Sequence, residues 1–268
     1  TGRRVAGVRL AHGERCLVEP GGEVIVSCGA VHSPAVLLRS GIGPARDLAR
    51  LGIRPVVDLP VGCGLQDHAM LMAAVPTVEE ARHSVDGRVT NCILRYSSGL
   101  AGAGENDMML LPNNGARHGH SWLIAQQEQV FSRGQLTLQS PDPTVDPVIE
   151  QCLLTDERDL ARMADALERM RELLAHRAFA AIADGPPGLP DAGDLPRVVT
   201  DTVHVCSTCR MGSPEDDTTV VDPDCRVLGV DGLRVIDASI IPEVPRANLH
   251  LTVVMIAEHM AARLAGVG

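Results

Sequence analysis

The sequence predicts a mixed α/β fold, α+β overall, and three observations carry the prediction. Two apolar runs, RVAGVR (4–9) and EVIVSC (23–28), precede a glycine and a short helical pattern, the strand–turn–helix order of a nucleotide-binding α/β sheet. From about residue 75 to 150, short β-like runs alternate with polar, glycine-rich connections, as in an antiparallel sheet with exposed edges. An amphipathic helical stretch and a Pro/Gly-rich linker then lead to a last strand and a terminal apolar run. These changes of character divide the chain into 1–75, 76–195 and 196–268.

Taken in order, Ser33 and Pro34 supply an N-cap and a first helical position for AVLLRS, a helix that Gly41 and Gly43 stop. Pro44 to Leu51 form a second short helix, and IRPVVDLP (53–60) reads as a strand. Gln66, Asp67 and His68 end a glycine-rich loop and read as a solvated turn. NCILRY, DMMLLP, SWLIAQQ and GQLTLQS are the strands of the middle region. Over 155–175, Leu160, Met163, Leu167, Met170 and Leu174 recur at helical spacing behind a Thr155 cap, so one face packs on a sheet. LRVID (233–237) is a buried strand, and the run from Leu251 to Leu264 is a buried helix whose N-terminus favours a negative group nearby.

Composition narrows the function classes. A net charge of -10 and a pI of about 5.4 disfavour nucleic acid and anionic membrane as partners. No apolar run approaches the roughly 18 residues of a membrane span, and the N-terminal TGRRVAGVRLAHG has no signal-peptide core. The chain has no initiator Met and reads as opening partway through a strand. Eight cysteines, several inside apolar runs, read as reduced thiols of a cytoplasmic protein. With only Tyr96, Trp122, Phe131 and Phe179 as aromatics, stacking is not the main recognition device.

The residues that could carry chemistry cluster late in the chain. His204 admits three readings: a hydrogen-bonded core histidine, a zinc ligand with Cys206, Cys209 and Cys225, or a general base titrating near neutrality. Asn248 and His250 could hold a substrate hydroxyl and accept its proton, and Asn248 could equally cap the following helix.

Several stretches resemble one family in its own order. GAVHSPAVLLRSGIGP (29–44) is similar to the second signature of the glucose-methanol-choline (GMC) flavoprotein oxidoreductases, and VVDLPVGCGLQDH (56–68) to the loop that follows it. SRGQLTLQSPDPTVDPVI (132–149) resembles the family's substrate-domain strand. HVCSTCRMG, VVDP, RVLGVDGLRVIDAS and the closing Asn248–His250 resemble its C-terminal segment. The resemblance implies FAD as cofactor and oxidation of a small-molecule alcohol, with hydride leaving carbon for flavin N5. It implies that His204 accepts the hydroxyl proton, that Asn248 anchors the substrate, and that His250 faces the flavin as a third catalytic position. Asp237, Ala238, Leu249 and His250 are then cofactor-binding, and Cys206 and Cys209 are packing residues.

On this reading 1–75 and 196–268 are parts of a Rossmann-like FAD-binding domain, and 76–195 is an inserted substrate domain of antiparallel sheet and helices. Ser207, Gly64 and His250 depart from the commoner family residues. So does the absence of a G-x-G-x-x-G turn, which implies a partner: an N-terminal FAD-binding half or separate chain that cradles the diphosphate. The alternatives are a non-catalytic remnant or interaction module of the same fold, and the zinc site.

Overall fold

The structure, a computed structural model, describes residues 3–81, 87–114 and 120–266. Residues 82–86 and 115–119 lie outside the described residues.

The first unit begins with β1 (Gly7–Arg9) and β2 (Arg15–Leu17), an antiparallel hairpin, and β3 (Val24–Val26), which leads into α1 (Gly29–Arg39). The helix starts earlier than the Ser33–Pro34 signal suggests, with Cys28 in the N-cap position. Ser33 lies inside it, buried, where its hydroxyl accepts from the Cys28 N–H at 2.9 Å. Pro34 is tolerated there for a physical reason. The N–H it lacks would have gone to the Ala30 carbonyl, and the Thr208 hydroxyl donates to that carbonyl instead, at 2.7 Å. Pro44 is the N-cap of α2 (Ala45–Arg50), not its first residue. The expected strand over 53–60 is reduced to a single bridge between Ile42 and Val57, because Pro55 and Pro60 remove ladder donors.

Next come β4 (Cys63–Leu65), β5 (Ala69–Pro76), β6 (Leu94–Tyr96), β7 (Met108–Asn113), β8 (His120–Gln127), β9 (Gly134–Thr137) and β10 (Val148–Glu150). The GQLTLQS strand does not join the middle sheet: β9 sits between β10 and β4 in a sheet of its own. The main antiparallel sheet runs β11-β5-β8-β7-β6, where β11 (Thr200–Asp201) returns from the C-terminal segment to pair with β5.

Before β11 the chain forms α3 (Glu157–Ala175) and the short α4 (Arg177–Ala180) and α5 (Leu195–Val198). The cap of α3 is Asp156, not Thr155. Its carboxylate accepts the Arg158 N–H at 2.9 Å, while the Thr155 hydroxyl turns back to the Cys152 carbonyl. Met163, Ala166, Leu167 and Met170 pack on Leu71, Ala73, Met108, Leu110, Leu123 and Ala125, one face of the main sheet. Arg162, on this helix, is wholly buried. It pairs with Asp159, lies 3.6 Å from Asp107, and donates to the Gln129 carbonyl at 2.8 Å. Asp159 in turn accepts the Phe131 and Ser132 N–H groups, which fixes the chain leaving β8.

β12 (Leu233–Val235) pairs in parallel with β3 and anchors a second core with α1. α6 (Leu249–Leu264) ends the chain. The expectation that it is buried is corrected, since among its residues only Leu249 and Met260 are buried. Leu251 is 77% exposed and Met255 57%, and Ile25 on β3 is 48% exposed. The helix is apolar on several sides, but only one side has a partner in these residues.

Candidate active site

The site is assembled where the loop after β4 meets the segment after β11. Gln66, Asp67 and His68 are not a solvated turn: they are 1%, 1% and 0% exposed. Leu65 and Ala69 on either side belong to two different cores, so the trio between them is carried inward. Gln66 exchanges backbone hydrogen bonds with Cys206, and its side chain donates to the Val130 carbonyl at 2.7 Å and accepts the Val244 N–H at 3.0 Å. One amide therefore ties three loops together.

His204 lies beyond the end of β11 in irregular chain, not in a strand; Val203 before it has φ 61°. The Asp67 carboxylate accepts the His204 N–H at 2.9 Å and the Thr202 hydroxyl at 3.1 Å. The imidazole has neighbours at both nitrogens. Nδ1 lies 2.9 Å from Nδ1 of His68 and 3.0 Å from Oγ1 of Thr202, and Nε2 lies 3.4 Å from Nδ2 of Asn248. The two rings meet edge to face, with an interplanar angle of 88°. On its far side His68 places Nε2 3.0 Å from the Pro245 carbonyl.

The electrostatics follow from burial. Burial lowers the pKa of His204 from its ordinary value, so the ring is neutral near pH 7 and able to accept a proton. Burial, reinforced by repulsion from His204, takes His68 down to about 4. Burial pushes the Asp67 carboxyl up to about 6, against the opposing hydrogen bonds from His204 and Thr202. Glu128 is buried nearby and also raised by burial, with Arg95 3.5 Å away opposing the rise.

Asn248 occupies the N-cap position of α6, yet its side chain makes no capping bond and reaches toward His204. The cap reading is therefore set aside. His250 stands exposed in the first turn of α6 and makes no hydrogen bond among the described residues. Leu249 is buried with Val130, Cys206, Ile241 and Val244. The Asp237 carboxylate is fully used inside the protein. It accepts from Gly29 N–H and Ser239 N–H at 2.9 and 2.8 Å and from the Ser33 hydroxyl at 2.5 Å, joining the β3–α1 turn to β12. Of this group, Ala238 is half-buried.

These residues fit a flavin edge on one observation. The first turn of α6 has no side-chain cap, its residues Asn248, His250 and Leu251 are exposed, and it opens beside His204. Uncapped N–H groups at a helix N-terminus, the positive end of its dipole, would favour the negative charge a flavin gains on accepting hydride.

The sheet continues the site. Register aligns Thr200, Met70, Gln126, Met109 and Arg95 in one row, and Met72, Ile124 and Leu111 in the next, on the face away from α3. Gln126 donates to Glu128 at 2.9 Å and lies 3.4 Å from His68 Nδ1, so the row beside His68 is polar and the next row apolar.

The zinc reading finds no support. Cys206 and Cys209 lie in separate apolar clusters, and burial pushes the Cys206 thiol up to about 12. Among the described residues no three His, Cys, Asp or Glu side chains group as metal ligands. All eight cysteines are free thiols, and no described helix is long and apolar enough to cross a membrane.

Sequence reasoning singled out His204 and Asn248, which the structure brings to 3.4 Å, and missed His68, Asp67 and Thr202 as their neighbours. The available signal was position: the polar trio directly precedes AMLMAAVP, an apolar run that a strand carries into the core.

Comparison with known proteins gives the same direction. Sequence models of the GMC oxidoreductases match residues 1–70 and 130–257. The chain is 36% identical to 5-(hydroxymethyl)furfural oxidase of Methylovorus sp. (strain MP688), over 97% of this chain and 54% of that protein. It is 34% identical to mitochondrial choline dehydrogenase of Homo sapiens, over 99% of this chain and 51% of that protein. Among solved structures it is similar to pyridoxine 4-oxidase from Mesorbium loti, with TM-score 0.82 and 27% identity, covering 98% of this chain and 55% of that one. The chain spans about half the length of the curated relatives it matches.

Proposed function

Since this chain belongs to the GMC oxidoreductase family, whose cofactor is FAD, we propose that it carries the catalytic edge of an alcohol-oxidising flavoenzyme. The observation that supports this reading is the pairing of His204 Nε2 with Asn248 Nδ2 at 3.4 Å, at the open start of α6.

A hydroxyl within hydrogen-bonding reach of both groups would donate its proton to Nε2 of His204 and accept from the Asn248 amide. The O–H bond breaks as the Nε2–H bond forms, and the imidazolium holds the proton. When bound, FAD would supply the hydride acceptor for the carbinol C–H, and loss of both hydrogens would turn the alcohol into a carbonyl compound. Backbone of Asp237, Ala238, Leu249 and His250 would hold the flavin, with the His250 ring exposed at the same helix start. Asp237 serves by bracing the β3–α1 turn rather than by touching the cofactor with its carboxylate. The substrate side is the face of the main sheet away from α3, whose row of Met72, Ile124 and Leu111 suits the apolar part of an alcohol such as 5-(hydroxymethyl)furfural, the substrate named for one relative.

The diphosphate contacts come from elsewhere, since no G-x-G-x-x-G turn is present in these residues. The uncovered apolar sides of α6 and β3 are where a nucleotide-binding half would seat.

The test is reconstitution with a nucleotide-binding half from a GMC relative, followed by anaerobic mixing with 5-(hydroxymethyl)furfural and, separately, choline. Bleaching of the flavin is expected with an alcohol. His204→Gln should slow it by about a hundred- to ten-thousandfold with flavin retained. Equal rates for His204→Gln and wild type overturn the assignment of the base, and a flavin-free complex favours the non-catalytic module.

A further inference from the structure

We propose that His68 is a positioning residue that sets the tautomer of His204, holding the proton of the neutral ring on Nδ1 so that Nε2 presents its lone pair on the side of Asn248. The argument is an accounting of donors and acceptors around two rings. Nε2 of His68 lies 3.0 Å from the Pro245 carbonyl, which can only accept, so this nitrogen carries hydrogen. Burial keeps His68 neutral near pH 7, and its Nδ1 is therefore an acceptor. Two ring nitrogens 2.9 Å apart cannot both present lone pairs, and the hydrogen between them belongs to His204 Nδ1.

The remaining neighbours agree. The Thr202 hydroxyl has the Asp67 carboxylate at 3.1 Å to donate to, which turns its lone pairs toward His204 Nδ1, 3.0 Å away. Gln126 offers an N–H toward His68 Nδ1 at 3.4 Å, so that atom is treated as an acceptor from both sides. Around His204 Nδ1 the facing groups are acceptors, and at Nε2 the Asn248 amide is a donor. The charged or titratable groups around the pair are Asp67, Glu128 and Arg95, and none competes for the hydrogen on Nδ1.

The arrangement also defines what His68 does not do. A proton handed on to His68 would have to leave through Nε2 to an amide carbonyl, which holds no proton. His68 orients and does not relay. A free imidazole can carry its hydrogen on either nitrogen. With the hydrogen on Nε2, His204 would present a donor to the alcohol and could not remove its proton.

The proposal rests on the reading of His204 as base, and its test needs neither flavin nor alcohol. Histidine uniformly labelled with nitrogen-15 is incorporated into the chain, and the resonances are assigned by their loss in His204→Gln and His68→Asn. At neutral pH, His204 should show a pyrrole-type Nδ1 and a pyridine-type Nε2, and a through-hydrogen-bond coupling should join Nδ1 of His204 to Nδ1 of His68. His68→Asn, which keeps an acceptor oxygen near the place of Nδ1, should leave the His204 tautomer unchanged. His68→Leu should convert it to a mixture. A pyrrole-type Nε2 on His204, absence of the coupling in the wild-type chain, or an unchanged tautomer in His68→Leu overturns the proposal. Such a result would leave the identity of the base open to its own kinetic test, and a failed kinetic test would leave the tautomer standing.

Discussion

Asp67→Asn separates the two demands placed on the site, because it keeps the shape of the side chain and removes its charge. Asp67 is 1% exposed and accepts from the His204 N–H, the Thr202 hydroxyl and, at 3.5 Å, the Gln151 amide. Burial outweighs these bonds and pushes the carboxyl from 3.8 up to about 6. The sign follows from proton linkage. The folded chain binds this proton more tightly than the unfolded chain, so folding is favoured below 3.8 and that advantage is lost as pH rises through about 6. The gap corresponds to about 3 kcal/mol. Asn has no such dependence, and its Oδ1 can still accept from His204 and Thr202. The stability of Asp67→Asn relative to wild type should therefore rise by about 3 kcal/mol between pH 3.5 and 7, measured as paired urea unfolding curves across that range. A difference that stays flat with pH, or that falls, refutes the argument that the charge is held against its own desolvation.

Other consequences are independent of this one. Thr208→Val leaves the Ala30 carbonyl without the donor that replaces the missing Pro34 N–H. It should cost about 1–3 kcal/mol by denaturant unfolding, with Thr208→Ser restoring most of it. Arg162→Met leaves Asp107 and Asp159 buried without their cation, and a loss of about 3–5 kcal/mol is expected from the shift in thermal or urea midpoint. Leu251→Glu with Met255→Glu lies on the uncovered side of α6. It should change the stability of this chain by less than about 0.5 kcal/mol while abolishing co-elution with a nucleotide-binding half in gel filtration.

The elements that were legible in the sequence are those whose signals are local. The 3.6-residue spacing of Met163, Leu167 and Met170 marks α3, because one face of that helix is buried, and short apolar runs bounded by polar connections mark β7 and β8. The errors fall where a distant residue changes the local balance. The start of α1 was misplaced because Ser33 and Pro34 imitate a helix start. The donor that lets Pro34 stand inside the helix is Thr208, which no window around residue 34 contains. The strand expected over 53–60 failed because its prolines cannot support a ladder.

The candidate site divides in the same way. His204 and Asn248 stood out in the sequence as motif residues, and the structure brings them to 3.4 Å. By itself the sequence determined the residue types, the mixed α/β class and the membership of its motifs in one family. Tertiary structure alone decided that Asn248 turns from its cap toward His204 and that Asp237 spends its carboxylate on the β3–α1 turn. It alone brought His68 against His204 across 136 positions of chain, at 2.9 Å. The reason is that a hydrogen bond depends on distance and direction in space. When its two ends are brought together by β5 and β11 joining one sheet, neither end carries a local trace of the other.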